Sequence, residues 1–305
     1  MDEEKKEELT EEPKEQDDVK KSKPGARLVM LRIMMAISIL AVVVCGVGLG
    51  RELYINWQSQ SYYSDLSSGI ETRPRTPPPS RQRPEPVTLP DGTVDPDAED
   101  LWIDDDIEPD DDEPWGPYVD FETLNELFPN SVAWIQLDGT AIDYPVMRGR
   151  DNDYYLTRLP DGTQHRSGSI FMDYRNKQDF SDKHTLIYGH ESRTKDMFGS
   201  LKDYRSQAYY EENPSLFLFT PDADYELVLI SAYTLDSGVE VPPLTFRNDT
   251  EFERHITNIK RRSFFKNDVT VEPDDQIVSL CTCAYDYTNA RLIVVGKLVK
   301  FGGYE

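Results

Sequence analysis

Residues 117–305 predict a mainly β fold, a closed or nearly closed barrel with a few inserted helices. Short runs rich in Val, Ile, Phe, Tyr and Thr recur between turn-forming residues. Helical periodicity is confined to three stretches that do not alternate with the strands, which disfavours a parallel α/β sheet. The last two runs are joined by only seven residues, 284–290, as a hairpin would be.

The elements follow in order. Residues 120–128 begin with an acidic turn and carry Phe121, Leu124, Leu127 and Phe128 at amphipathic-helix spacing, stopped by Pro129. Strands are expected at 132–137, 169–172, 185–188, 216–219, 225–233, 276–283 and 292–299. Between them 197–212 reads as helix. So does 249–262, where Asn248 and Glu251 have capping-box spacing and Phe252, Ile256 and Ile259 share a face.

The 305 residues do not share one composition, and four segments are expected: a cytoplasmic tail 1–27, a transmembrane anchor 28–50, an extracytoplasmic Pro- and Asp-rich linker 51–116, and a catalytic domain 117–305. The apolar run 33–50 is broken only by Ser38 and is extended by 28–31 across Arg32, whose stem can snorkel. Together these reach the ~20 residues a span requires. Lys20, Lys21, Lys23, Arg27 and Arg32 precede the span, which places the N-terminus in the cytoplasm and the remainder outside. A signal peptide is the rival reading, but its apolar region is only ~7–15 residues long. Cys45 is a small apolar side chain of the span, since Val44 before it is too large for a lipoprotein site.

The linker holds the run 76–79, Thr-Pro-Pro-Pro, and acidic triplets at 104–106 and 110–112. Such self-repelling, Pro-rich chain stays extended and forms no core. Trp102 and Trp115 are its only hints of a specific contact. Twelve of its acidic residues fall in 95–113, which has no Lys or Arg, so half of the net charge of −24 belongs to the spacer. The folded domain is then only moderately acidic. Nucleic-acid binding, which calls for a basic face, is excluded.

One of the three cysteines lies in the span, so no disulfide framework is expected outside it. Cys283, read blandly, is a small buried hydrophobe. Against that, it ends a strand, and Arg291 lies eight residues on across the hairpin. A neighbouring cation or imidazole stabilises the reactive thiolate. His190 follows a strand in Leu186-Ile187-Tyr188-Gly189-His190, where Gly189 permits a sharp turn that exposes the ring. His165, His184 and His255 have no such setting and read as surface or packing residues. Cys283, His190 and Arg291 would serve as nucleophile, proton carrier and oxyanion or substrate clamp.

From Phe121 onward the chain resembles the class B sortases. The resemblance rests on Trp134-Ile135, Ile142-Asp143-Tyr144-Pro145-Val146, Asp151-Asn152-Asp153-Tyr154-Tyr155-Leu156, Gly168-Ser169-Ile170-Phe171-Met172-Asp173, Ile187-Tyr188-Gly189-His190, Met197-Phe198 and Ser279-Leu280-Cys281-Thr282-Cys283, followed by Arg291. It implies a barrel of about eight strands with N-terminal helices and an inserted helix before the cysteine strand, which 249–262 supplies. It also implies His190, Cys283 and Arg291 as catalytic residues, and Asn152, Leu156, Tyr188, Cys281 and Thr282 as substrate-binding ones. Neither cofactor nor metal is expected.

Two positions depart from the family pattern: Cys281 replaces a hydroxyl, and Glu191 stands where an amide is common. Strand alternation puts Cys281 on the face of Cys283, ~6–7 Å away, where it either lines the groove or forms a strained disulfide. The implied activity cleaves a surface protein's C-terminal sorting signal after a Thr and transfers the acyl group to an amine of the lipid-linked cell-wall precursor or of a pilin. A cell-wall thiol hydrolase and a non-catalytic binding module are the alternatives.

Overall fold

The structure, a computed structural model, describes residues 24–70, 119–192, 194–236, 242–283 and 290–303. The tail 1–23, the acidic block with Trp102 and Trp115, the 284–289 connection and the side chain of Cys283 lie outside the described residues. Two compact units are present, Met1–Trp57 and Gln58–Glu305.

The first unit carries most of helix α1, Pro24–Gly69. Leu28, Leu31, Met35, Leu40, Val44 and Leu49 are all at least half exposed along it. It is long and apolar enough to cross a membrane.

The second unit opens on the last turns of the same helix. Tyr63, Leu66 and Ile70, at helical spacing, are buried in the main core. The Tyr63 hydroxyl donates to the Gly168 carbonyl at 3.0 Å, and Gln60 Nε2 donates to Asp196 Oδ1 at 2.9 Å. Residues 58–70 therefore belong to the folded unit, whereas the sequence reading begins the spacer at 51. The cause is local: Tyr62, Tyr63, Leu66 and Ile70 form an apolar stripe, and the first proline after them comes only at Pro74.

Helix α2, Phe121–Leu127, is capped by Asp120, whose carboxylate accepts from the Thr123 N–H and hydroxyl. Eight strands follow: β1 Ser131–Gln136, β2 Asp143–Arg148, β3 Ile170–Met172, β4 His184–Gly189, β5 Ser215–Phe219, β6 Ala223–Asp236, β7 Ile277–Cys283 and β8 Ala290–Gly303. They close in the order β1-β2-β3-β4-β7-β8-β6-β5, with β5 returning to β1. The β2–β3 and β4–β7 pairs are parallel and the others antiparallel. A closed sheet has no edge, so every strand is paired on both sides.

Strand β2 is absent from the sequence expectation because Pro145 interrupts it; pairing with β3 begins only at Val146, past the proline. The single helix expected over 197–212 is a 3-10 stretch, Gly199–Arg205, followed by helix α3, Gln207–Glu212, which Ser206 caps. Helix α4, Asp249–Arg262, matches its expected bounds, with Asn248 accepting from the Glu251 N–H at 3.0 Å.

Alternation along three adjacent strands sorts the core into two layers. Ile187, Val278, Leu280, Leu292 and Val294 join the main cluster inside the barrel. Leu186, Ile277, Cys281, Ile293 and Val295 face the other way and pack beneath Phe252, Ile256 and Ile259 of α4. Burying those three side chains stabilises the docked helix by roughly 1.5–3 kcal/mol each.

Candidate active site

The β4–β7–β8 register assembles the site. Gly189 on β4 lies beside Thr282 on β7, so the next residue along, His190, leaves the sheet beside Cys283. Cys283 is directly opposite Arg291 on β8. Residues 190, 283 and 291 therefore meet at one end of three neighbouring strands, although 93 positions separate the first two in the chain.

His190 is half-buried and oriented from two sides. Its Nε2 lies 2.7 Å from the Leu156 carbonyl, in the 3-10 turn Tyr155–Thr157. A carbonyl only accepts, so Nε2 carries the proton and the free nitrogen of the neutral ring is Nδ1. The His190 carbonyl in turn accepts from the Phe198 N–H at 3.0 Å.

Gly189 has a role other than the expected sharp turn. Its φ is not positive, and a Cβ there would stand 2.5 Å from Ile170 Cδ1 and 2.7 Å from Phe198 Cδ2. The residue is glycine for want of space. Gly168 does need its freedom: at φ +55 it packs against the Leu156 carbonyl, which a Cβ would approach to 2.4 Å. The group that holds His190 is thus buttressed by a position only glycine can fill.

The residues expected to bind substrate divide. Tyr188 is half-buried and neighbours Cys281 in the β4–β7 register. Asn152 and Tyr188 both reach one buried carboxylate, Asp173, at 3.0 Å each. Leu156 joins them through its contact with His190. Cys281 is 3% exposed, among the side chains under α4. Thr282, 1% exposed, shares the parity of Val278 and Leu280, and its hydroxyl has no partner among the described residues, which separates it from the face of the others.

Asp173 went unassigned in the sequence. It is fully buried and accepts from the Arg175 N–H at 3.0 Å and from Arg175 Nε and Nη2 at 2.9 and 2.7 Å. Burial opposes its ionisation, but these bonds and those from Asn152 and Tyr188 hold its carboxyl down at about 2. Burial pushes the Tyr188 phenol well above the ordinary range, the neighbouring Cys281 and Asp173 adding to it. The available signal was an acid ending an apolar strand two residues before an arginine.

His165 and His184 are buried packing residues, as expected. His184, fully buried, places Nδ1 2.6 Å from the Pro243 carbonyl and Nε2 2.8 Å from Ser279 Oγ.

A family model for the sortase domain matches residues 135–299. Sortase B of Staphylococcus aureus is 35% identical over 182 residues, covering 59% of this chain and 75% of that protein. Sortase B of Listeria monocytogenes is 34% identical over 178 residues, covering 58% and 72%. The structure of a Staphylococcus aureus sortase B–substrate complex superposes with a TM-score of 0.57 at 35% identity, covering 59% of this chain and 84% of that one. With the closed eight-strand barrel, these matches make the chain a member of the sortase family of cysteine transpeptidases, in its class B.

Proposed function

We propose that Cys283 is the nucleophile, His190 the proton carrier and Arg291 the clamp of a transpeptidase that cuts sorting signals after a Thr. The observation that carries this reading is the register bringing the three positions to one end of β4, β7 and β8.

His190 first takes the Cys283 thiol proton at Nδ1, and the resulting thiolate attacks the Thr carbonyl carbon, forming a C–S bond and an oxyanion beside the Arg291 guanidinium. Collapse of that intermediate breaks the C–N bond, and the departing amine takes a proton from His190. The acceptor amine then attacks the thioester, His190 takes back a proton, and an amide forms as the thiolate leaves. Because Nε2 is held on the Leu156 carbonyl, all these proton transfers run through Nδ1.

The acceptor is an amine of a lipid-linked cell-wall precursor or of a pilin. Anchorage of α1 in a membrane, with the N-terminus in the cytoplasm and the barrel outside, keeps enzyme and acceptor on one surface. The basic residues ahead of the apolar run support that orientation. Asn152, Leu156 and Tyr188, all half-buried, line the peptide groove, with Cys281 packed under α4 behind Tyr188 and the inward parity of Thr282 keeping its side chain out of it.

Cys283→Ala, assayed with a labelled sorting peptide and an amine acceptor, is expected to lose at least about a thousandfold in kcat/KM. Persistent cleavage or transfer would remove Cys283 from the chemistry. If product partitioning does not change when amine is added, the enzyme is a hydrolase instead.

A further inference from the structure

Asp173 is a charge buried beside the site that the mechanism does not use. Five donors converge on it from three segments: Asn152 in the β2–β3 connection, Tyr188 on β4, and three groups of Arg175 just beyond β3. Oδ2 alone accepts from Asn152 Nδ2, the Tyr188 hydroxyl and Arg175 Nη2. A carboxylate this buried needs such donors to remain ionised.

The arrangement fixes the polarity of both groove residues. Asn152 gives Nδ2 to Asp173 while its Oδ1 accepts from the Tyr174 N–H at 3.0 Å, so flipping the amide would set oxygen against oxygen and N–H against N–H. Tyr188 gives its proton to Asp173, which leaves the phenolic oxygen only lone pairs to offer. Its ring is held as well, packed 5.4 Å from Phe171.

We infer that Asp173 is a positioning residue for the peptide substrate: it holds Tyr188 and Asn152 so that the groove meets an extended peptide with hydrogen-bond polarity already set. This rests on reading Asn152 and Tyr188 as groove residues. Asp173 touches neither the peptide nor the thiol and acts through those two side chains. Preorganised partners bind without reorganisation, so losing their anchor weakens binding of the peptide before it slows the chemistry.

The test uses the full chain in detergent micelles and compares wild type with Asp173→Asn. An amide in place of the carboxylate has one acceptor oxygen, so whichever way it turns, its NH2 faces other donors. KM for the sorting peptide is expected to rise about tenfold, the scale of one charge-assisted hydrogen bond, with kcat within about twofold. The rate at which a small methanethiosulfonate modifies Cys283 is expected to stay within about twofold, because that reagent does not use the groove.

An unchanged KM, or equal losses in peptide turnover and thiol modification, would overturn the inference. If Asp173→Asn does not accumulate folded, Tyr188→Phe, Asn152→Ala and the double variant decide. The double variant is expected to raise KM by less than the product of the single effects, since both side chains share one anchor, and independent effects would overturn it. Failure of the methanethiosulfonate to block transfer in wild type would instead contradict Cys283 as nucleophile, leaving Asp173 to be decided by KM.

Discussion

At the scale of single residues, the same burial produces opposite consequences for different groups. His184 is pushed down to about 3 by burial first and then by His255, whose ring centroid lies 5.6 Å away. His255 is pushed down to about 4 by burial. Both stay neutral in the fold at pH values where the unfolded chain, near 6.5, takes up protons. Unfolding therefore binds protons between those values, and stability falls as pH drops from about 6.5 toward 4. The limiting slope is about 1.4 kcal/mol per pH unit for each histidine. Urea unfolding at a series of pH values is expected to show this decline, and His184→Asn is expected to flatten it. The same variant loses about 1–3 kcal/mol at neutral pH, through the Pro243 and Ser279 partners it leaves.

The three positions that the register brings to one strand end were legible as residues. A cysteine ending a strand, an arginine just across a hairpin and a histidine after a Gly are all visible in one dimension. The Asp173 hub was not, because Asn152 and Tyr188 lie 21 and 15 positions away and an arginine two residues on does not by itself mark a carboxylate as buried. The parity of Thr282 was legible in principle, since alternation that groups Cys281 with Cys283 places Thr282 on the opposite face.

At the scale of elements, strand and helix existence followed from periodicity wherever one period ran uninterrupted, as in α4. It failed where a chain-breaking residue sat inside an element. Pro145 concealed β2, and the change from 3-10 to α geometry at Ser206 divided the stretch 197–212. Gly189 shows how an element can be right for a different reason: the turn argument puts the cost of a side chain there in backbone strain, whereas the packing argument puts it in the contacts with Ile170 and Phe198. Gly189→Ala must displace Ile170 or Phe198, and overpacking of that kind costs about 1–3 kcal/mol. Because His190 is the next residue and its carbonyl is tied to Phe198, the substitution is also expected to lower kcat. Thermal unfolding and steady-state kinetics on one preparation check both; full stability with full activity would refute the packing account.

At the scale of the whole molecule, the chain joins an apolar helix to a closed barrel, and composition alone separated them. Their boundary was less legible, because the last turns of α1 look like linker until the buried side chains of Tyr63, Leu66 and Ile70 are seen. A chain starting at residue 58 is expected to retain the stability of the folded unit. One starting at 117 is expected to lose several kcal/mol, at roughly 1.5–3 kcal/mol for each of the three side chains no longer buried. Denaturant midpoints of the two truncations make the comparison. Equal midpoints would mean that residues 58–70 contribute nothing.

The central claim, that the β4–β7–β8 register builds a thiol acyl-transfer site, is tested most directly by intact-protein mass spectrometry. Enzyme is mixed with a sorting peptide, without acceptor amine, and quenched in acid during turnover. The account predicts a mass increase equal to the peptide's N-terminal acyl fragment, mapped to Cys283, absent from Cys283→Ala and discharged by added amine. Cleavage with no covalent adduct, or an adduct on any other residue, would contradict it.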